Sequence, residues 1–285
     1  MKEAFEKALF EEISQLEDSR LKEAAYYALQ GEAKRIRPLV AYAIANILSP
    51  GFDNFHPLIA LELAHTSSLI LDDLPMMDDA TERRNKPALH IRFNQQEALL
   101  TAVGLISESY KQLHLATEKL SDSRSSKECL AILQTALNIT TSAGGLSGAP
   151  FGQWMDLTIS SNLQHPLLKM MHKKTGVFFE SSFVLGWIFG GGSLEKIEEV
   201  KEASRIFGTI FQILDDFSDL EEDAKERPFA NYVLQNGQNA SLDYLDEAKE
   251  RFAALLCSLG LIKLQQALLE PLENLLSLHR SLLRG

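Results

Sequence analysis

Apolar positions recur at three- and four-residue spacing along most of this chain. Phe5, Leu9, Ile13 and Leu16 form one stripe with Glu and Lys between them, and Leu242, Leu245, Ala248, Phe252, Leu255 and Leu256 form another. That period is one face of an α-helix. No window keeps the strict alternation of a half-buried strand between turn signals. The pattern predicts an all-α chain of roughly ten or more helices. Breaks fall at Ser49-Pro50-Gly51 with Pro57 shortly after, at Ser121–Ser126, at Ala143–Gly152 and at Gly190–Ser193. The stretch Asp219–Gly237 is polar and poorly periodic and reads as another break. None is long enough to be an interdomain linker, so a single domain over 1–285 is expected.

Composition changes this picture only in places. With 285 residues, 45% hydrophobic and 24% charged, the chain can bury a sizeable core. A net charge of −11 disfavours nucleic acid and anionic membrane, which attract basic patches. It fits either a solvated surface or carboxylates gathered to hold cations, and only their positions can decide. Cys129 and Cys257 form neither a metal-ligand spacing nor a disulfide framework, which fits a cytoplasmic setting. Met1–Phe10 is charged throughout and lacks the apolar centre of a signal peptide. The apolar run Phe183–Gly190 is too short to span a bilayer, so no stable membrane insertion is expected.

The carboxylate positions are informative. Asp72-Asp73-Leu74-Pro75-Met76-Met77-Asp78-Asp79 follows the strongly apolar segment Leu58–Leu71. Residues seven apart on a helix are about 20° out of phase, so His65 and Asp72 share a face. An unbroken helix would point Asp78 elsewhere; Pro75 predicts a break that lets the chain bring it back. A second cluster, Gln212, Asp215, Asp216 and Asp219, lies among Phe211, Ile213, Leu214 and Phe217. Asp215 and Asp219 share a helical face and repel each other unless a cation joins them. The tetrapeptide Ile70-Leu71-Asp72-Asp73 even recurs as Ile213-Leu214-Asp215-Asp216. Oxygen-only ligands point to a hard cation, and magnesium characteristically binds through carboxylates, waters and substrate phosphates.

In these motifs the sequence resembles the polyprenyl diphosphate synthase family of the farnesyl and geranylgeranyl type, over roughly Gly31–Gly237. Asp72–Asp78 resembles the family's first aspartate-rich motif, followed by Arg83-Arg84, Lys86-Pro87 and His90. Phe211–Asp219 resembles the second. Lys34-Arg35-Ile36-Arg37-Pro38, Glu62–Thr66, Gly152-Gln153 with Asp156, and Lys174-Thr175-Gly176 match further family motifs in order. The resemblance implies an isoprenoid-synthase-like helical bundle with a central cavity between two aspartate-rich helices, and a homodimer. It implies magnesium, about three ions held with the diphosphate, on Asp72, Asp78 and Asp215, with Asp73, Asp216 and Asp219 in support. Lys34, Arg37, His65 and Arg84 would bind isopentenyl diphosphate, and Arg83 the allylic diphosphate. Lys174, Thr175 and Gln212 would face the forming carbocation and the departing diphosphate. Arg suits a diphosphate because its planar fork makes paired, charge-assisted hydrogen bonds.

The sequence departs from the family pattern at several positions. Leu71 stands for a His, Asn85 for a Gly, Ala88 for a Thr, and Ala102-Val103 for a Gly-Asp. The glycine- and lysine-rich loop after the second motif is shortened to Leu220–Pro228, where Lys225 or Arg227 is left to supply the positive charge. Ser67 and Ser68, five and four positions before Asp72, are small where bulky residues would floor the product pocket. A deeper floor is therefore expected, with a geranylgeranyl product ahead of a farnesyl one. The eroded motifs leave two alternatives: a weakly active or regulatory partner subunit of a prenyl synthase, and a class I terpene cyclase. The second aspartate motif and Lys34–Arg37 argue against the cyclase, which needs no isopentenyl diphosphate site.

Overall fold

The computed structural model of the chain describes residues 1–159 and 167–269. The expected single domain over 1–285 also takes in 160–166 and 270–285, which lie outside the described residues. The helices are α1 (Lys2–Ser14), α2 (Arg20–Leu29), α3 (Ile36–Leu48), α4 (His56–Asp72), α5 (Leu89–Arg92), α6 (Gln95–Glu118) and α7 (Ser126–Gly144). They continue as α8 (Ala149–Thr158), α9 (Leu167–Met171), α10 (Val177–Gly190), α11 (Ile197–Ser218), α12 (Leu220–Glu226), α13 (Tyr232–Asn236) and α14 (Gln238–Ser258). A further helical segment covers 262–269.

Local sequence sets the helix starts. Ser125 accepts from Glu128 N while the Glu128 carboxylate reaches back to Ser125 N, a capping box that opens α7. Asn94 opens α6 by accepting from Glu97 N at 2.8 Å. The centre of the bundle is α10, whose residues are all buried except Glu180. A helix apolar all round belongs inside a core, and α10 packs on α3, α4, α7 and α11. It meets α3 through glycine. A Cβ on Gly186 would stand 2.5 Å from Ala41 O, and one on Gly190 2.7 Å from Ala45 Cα. No described helix is long and apolar enough to cross a membrane.

Two features differ from the sequence expectation. Strands β1 (Glu82–Arg83) and β2 (Lys86–Pro87) pair antiparallel as a tight ribbon, too short to show any alternation. Their connection is Arg84-Asn85, both with positive φ (56° and 59°), the two-residue turn whose twist suits a hairpin. Asn tolerates that backbone region better than most residues, which accounts for Asn85 where the family pattern has glycine. The break expected over Asp219–Gly237 is instead largely helical, as α12 and α13. Acids crowd the first turn of α12 and Lys225 lies in its last, as the helix dipole favours, and Asn231 caps α13 by accepting from Leu234 N at 3.0 Å. These helices carry no long apolar stripe, so periodicity misses them.

Candidate active site

The two aspartate runs end the two helices that wall a central cleft. Helix α4 stops at Asp72, and the chain then turns so that Asp78 N donates back to Asp72 O at 2.9 Å. The break expected at Pro75 is present, and it brings Asp78 back beside Gln153 and Lys174. There Asp78 Oδ1 accepts from Gln153 Nε2 at 2.8 Å, and Oδ2 lies 4.0 Å from Lys174 Nζ. Across the cleft, α11 carries Gln212, Asp215 and Asp216, with Asp219 at its C-cap.

The acidic residues divide by their partners. Asp73 is buried and bound by Arg83, whose Nε lies 3.0 Å from Oδ1, and it does not line the cleft. Asp216 is buried and accepts from Tyr232 N at 2.6 Å and Gln212 Nε2 at 3.2 Å. Asp72, Asp215 and Asp219 make no side-chain hydrogen bond or ion pair among the described residues. Burial raises the Asp72 pKa to about 6 despite the pull of Lys174, and Asp78 and Asp73 raise it further. Desolvation also lifts Asp215, helped by repulsion from Asp219 and opposed by Lys34. Carboxylates held against their own charge on two adjoining cavities suit a hard cation. No three His, Cys, Asp or Glu side chains among the described residues converge on one point. The donor set therefore suits an ion that completes its shell with diphosphate oxygens and water, as magnesium does.

The basic side of the cleft rests on a buried acid. Glu62, 1% exposed, pairs with Arg35 and takes a 3.0 Å bond from Arg84 Nη2. Arg35 also donates to Leu29 O, and Arg84 Nη1 donates to Ala28 O at 2.9 Å. Removing one partner of such a network would strand buried charge. Arg37 Nη1 lies 3.0 Å from His65 Nε2. Burial, then the charges of Arg37 and Arg84, push the His65 pKa well down, so the ring is neutral and its Nε2 can accept from Arg37. Burial lowers Arg37 to about 10, still charged at neutral pH, and its Nε has no partner among the described residues. Lys34, Arg37, His65, Arg83 and Arg84 all line the cleft.

Lys174 and Thr175 sit in a single π-helical turn, His172–Gly176, leading into α10. Such turns widen a helix at functional positions. Here the turn is pressed against α8, where a Cβ on Gly152 would stand 2.2 Å from Lys174 N. Lys174 is ion-paired with the buried Asp156, whose other oxygen binds Arg227. The cleft encloses about 580 Å³. At Lys174 it adjoins a second cavity of about 320 Å³, apolar in character, between α4, α6, α7, α8 and α10. Ser67 and Ser68 line this second cavity, which continues past them to Ala64 and Ala60. The serine and threonine hydroxyls in its wall are spent on helix carbonyls: Ser67 donates to Ala102 O, Ser68 to His65 O, Ser109 to Ile106 O, Thr140 to Ala136 O and Ser181 to Val177 O.

The basic motifs, Lys174-Thr175 and the second aspartate run thus line one cleft, with Asp72 on the adjoining cavity and Asp78 beside Lys174, and a sequence model of the polyprenyl synthetase family matches residues 18–228. The chain belongs to the polyprenyl synthetase family. Among relatives of this family member, a heterodimeric geranylgeranyl pyrophosphate synthase large subunit of Arabidopsis thaliana is 34% identical over 232 residues, covering 79% of this chain and 58% of the relative. A chloroplastic geranylgeranyl pyrophosphate synthase of Capsicum annuum is 33% identical over 255 residues, covering 87% of this chain and 67% of the relative. The chain spans 58% to 63% of the length of the first curated relatives it matches. Among solved structures, a geranyltransferase from Legionella pneumophila superposes with a TM-score of 0.79 at 25% identity, covering 97% of this chain and 94% of the other. An FPP/GFPP synthase from Zymomonas mobilis gives 0.78 at 27% identity, covering 93% and 94%.

Several residues of this polyprenyl synthetase site escape a reading of the sequence. Asp156 and Glu62 lie in recognised motifs, but their use as buried anchors for Lys174 with Arg227, and for Arg35 with Arg84, emerges only from packing. Arg227, left open beside Lys225, lines the cleft. Asp223 also lines it, one turn beyond Asp219, and is held by Asn231 Nδ2 at 2.8 Å. Its i, i+4 spacing from Asp219 was the available signal.

Proposed function

We propose that this protein joins isopentenyl diphosphate to an allylic diphosphate and releases a short-chain all-trans prenyl diphosphate, with magnesium as the metal. The observation that carries the reading is the adjoining pair of cavities. A charged cleft flanked by both aspartate runs meets, at Lys174, an apolar cavity that extends along α4. One suits two diphosphates and the other a growing hydrocarbon. Lys34, Arg37, Arg84 and the neutral His65 hold isopentenyl diphosphate, while Arg83, Lys174 and Arg227 orient the allylic diphosphate. Magnesium bound at Asp72, Asp78 and Asp215 would supply Lewis-acid neutralisation of the leaving group. The allylic carbon–oxygen bond breaks, the double bond of isopentenyl diphosphate forms the new carbon–carbon bond, and the released pyrophosphate takes the proton. Thr175 and Gln212 present oxygen dipoles to the developing positive charge. The serine and threonine hydroxyls of the hydrocarbon cavity are spent on helix carbonyls, which leaves few donors to hold water near it.

A homodimer is part of this reading. Leu99, Leu100, Val103 and Ile106 form an exposed apolar stripe on α6, 36–55% exposed. Stripes of that kind mark association surfaces, and one relative is named as a heterodimer subunit.

The test is incubation of the purified protein with magnesium, labelled isopentenyl diphosphate and, separately, five-, ten- and fifteen-carbon allylic diphosphates. Magnesium-dependent elongation, lost in Asp72→Ala and Asp215→Ala, is expected. No incorporation with any primer would defeat the reading, and consumption of primer without elongation would indicate a cyclase.

A further inference from the structure

The length of the apolar cavity can be read from the register of its walls. Helices α4 and α6 run antiparallel. Ser67 Oγ bonds Ala102 O, His56 Nδ1 lies 2.6 Å from Gln112 Oε1, and Asn54 Nδ2 donates to Ala116 O. Each step back along α4 matches a step forward along α6, which puts Tyr110 level with Ala60. Helix α10 also runs against α4. The His65 ring lies 5.6 Å from the Phe178 ring, and Lys174 stands near Asp72, so Leu185 falls at the Ala60 level as well. Ala60, Tyr110 and Leu185 all line the cavity.

The wall on α4 therefore extends from Asp72 back to Ala60, about 18 Å at 1.5 Å per residue. An extended prenyl chain advances about 5 Å per five-carbon unit, given carbon–carbon bonds of about 1.5 Å. Three units span about 15 Å and stop short of the far end, four span about 20 Å and reach it, and five at about 25 Å overrun it. At that end Ala60 is small, Ser109 turns its hydroxyl into Ile106 O, and Leu185 is fixed in the buried α10. Tyr110 is the bulkiest of these, it is partly buried, and its hydroxyl makes no hydrogen bond among the described residues.

We propose that the ring of Tyr110 is the stop that limits the prenyl chain to four isoprene units. The inference rests on the elongation reading above for its substrate, but its geometry concerns only the hydrocarbon cavity. It moves the length-setting contact from the positions just before Asp72 to a different helix.

The experiment compares the protein with Tyr110→Phe and Tyr110→Ala in two assays. One sizes the elongation products. The other measures binding of ten-, twenty- and twenty-five-carbon prenyl diphosphates by calorimetry in the presence of magnesium. The unchanged protein and Tyr110→Phe should make mainly a twenty-carbon product. Tyr110→Ala should lengthen it by at least one unit. It should also bind the twenty-five-carbon diphosphate more tightly, by at least about tenfold given the apolar surface newly buried, with ten-carbon binding unchanged. A fifteen-carbon main product from the unchanged protein, equal twenty-five-carbon binding by all three, or a shift in Tyr110→Phe as large as in Tyr110→Ala would each overturn the proposal. Absence of elongation in every protein, with the long-chain binding gain still specific to Tyr110→Ala, would remove the catalytic reading and leave the stop in place.

Discussion

At the scale of single residues, the site is built from charges that the fold holds at a cost. Asp72 shows this most directly. Its folded pKa of about 6 lies above the ordinary 3.8, chiefly through burial. The folded state therefore takes up its proton more readily than the unfolded chain does. The stability this group contributes is full below the ordinary pKa and is lost as pH rises through about 6. Asp72→Asn should accordingly raise the melting temperature of the metal-free protein at pH 7.5, with a smaller gain at pH 4.5. Thermal unfolding at both pH values checks this, and a lower melting temperature at pH 7.5 would contradict the assignment. Much at this scale was legible. The seven-residue spacing of His65 and Asp72 and the i, i+4 spacing of Asp215 and Asp219 follow from helix geometry alone. What stayed hidden is which oxygens are already spent. Asp73 and Asp72 are adjacent and identical in sequence, yet one is bound to Arg83 and the other lines the apolar cavity.

At the scale of elements, position matters more than identity. The π-helical turn carrying Lys174 and Thr175 is set by its contact with Gly152 on α8. A methyl group there would stand 2.2 Å from Lys174 N and force the turn to move. Gly152→Ala should lower kcat by roughly a hundredfold, the cost of about 1 Å of misplacement in a catalytic geometry, with little loss of helix content. Steady-state kinetics beside circular dichroism would show it, and near-normal turnover would mean the turn adjusts freely. The long amphipathic helices were readable because each repeats its apolar residue several times. Helices α12 and α13 were not, because five to seven residues give a stripe no chance to repeat. The β1–β2 ribbon was hidden for the same reason, although Asn85 in place of a glycine was a trace of its turn.

At the scale of the whole molecule, the apolar stripe on α6 is a feature that the described residues leave uncovered. Ala102 is fully buried beside Ser67, while the adjacent Val103 is 54% exposed on the stripe. A substitution that looks like erosion of a motif is, in the fold, half core and half surface. If two copies meet here, Leu100→Glu with Val103→Glu should convert the dimer to a monomer without unfolding it, since both side chains are exposed within one chain. Light scattering after gel filtration would report the change. A protein that is monomeric before substitution would exclude the homodimer. The sequence could not place this stripe, because exposed and buried leucines look alike until the partner helices are known.

The carbonyl-bound serine and threonine hydroxyls of the apolar cavity carry a consequence for how such a protein changes over generations. Each serine or threonine there spends its proton on a helix carbonyl, so exchanging one for alanine or valine alters the bore by an atom or two. No ion pair or aspartate contact is disturbed. Volume in the apolar cavity can therefore drift in small, separately tolerable steps while the adjoining charged cleft stays intact. Under the proposed elongation reading, product length is a dimension that selection can tune without first rebuilding the chemistry.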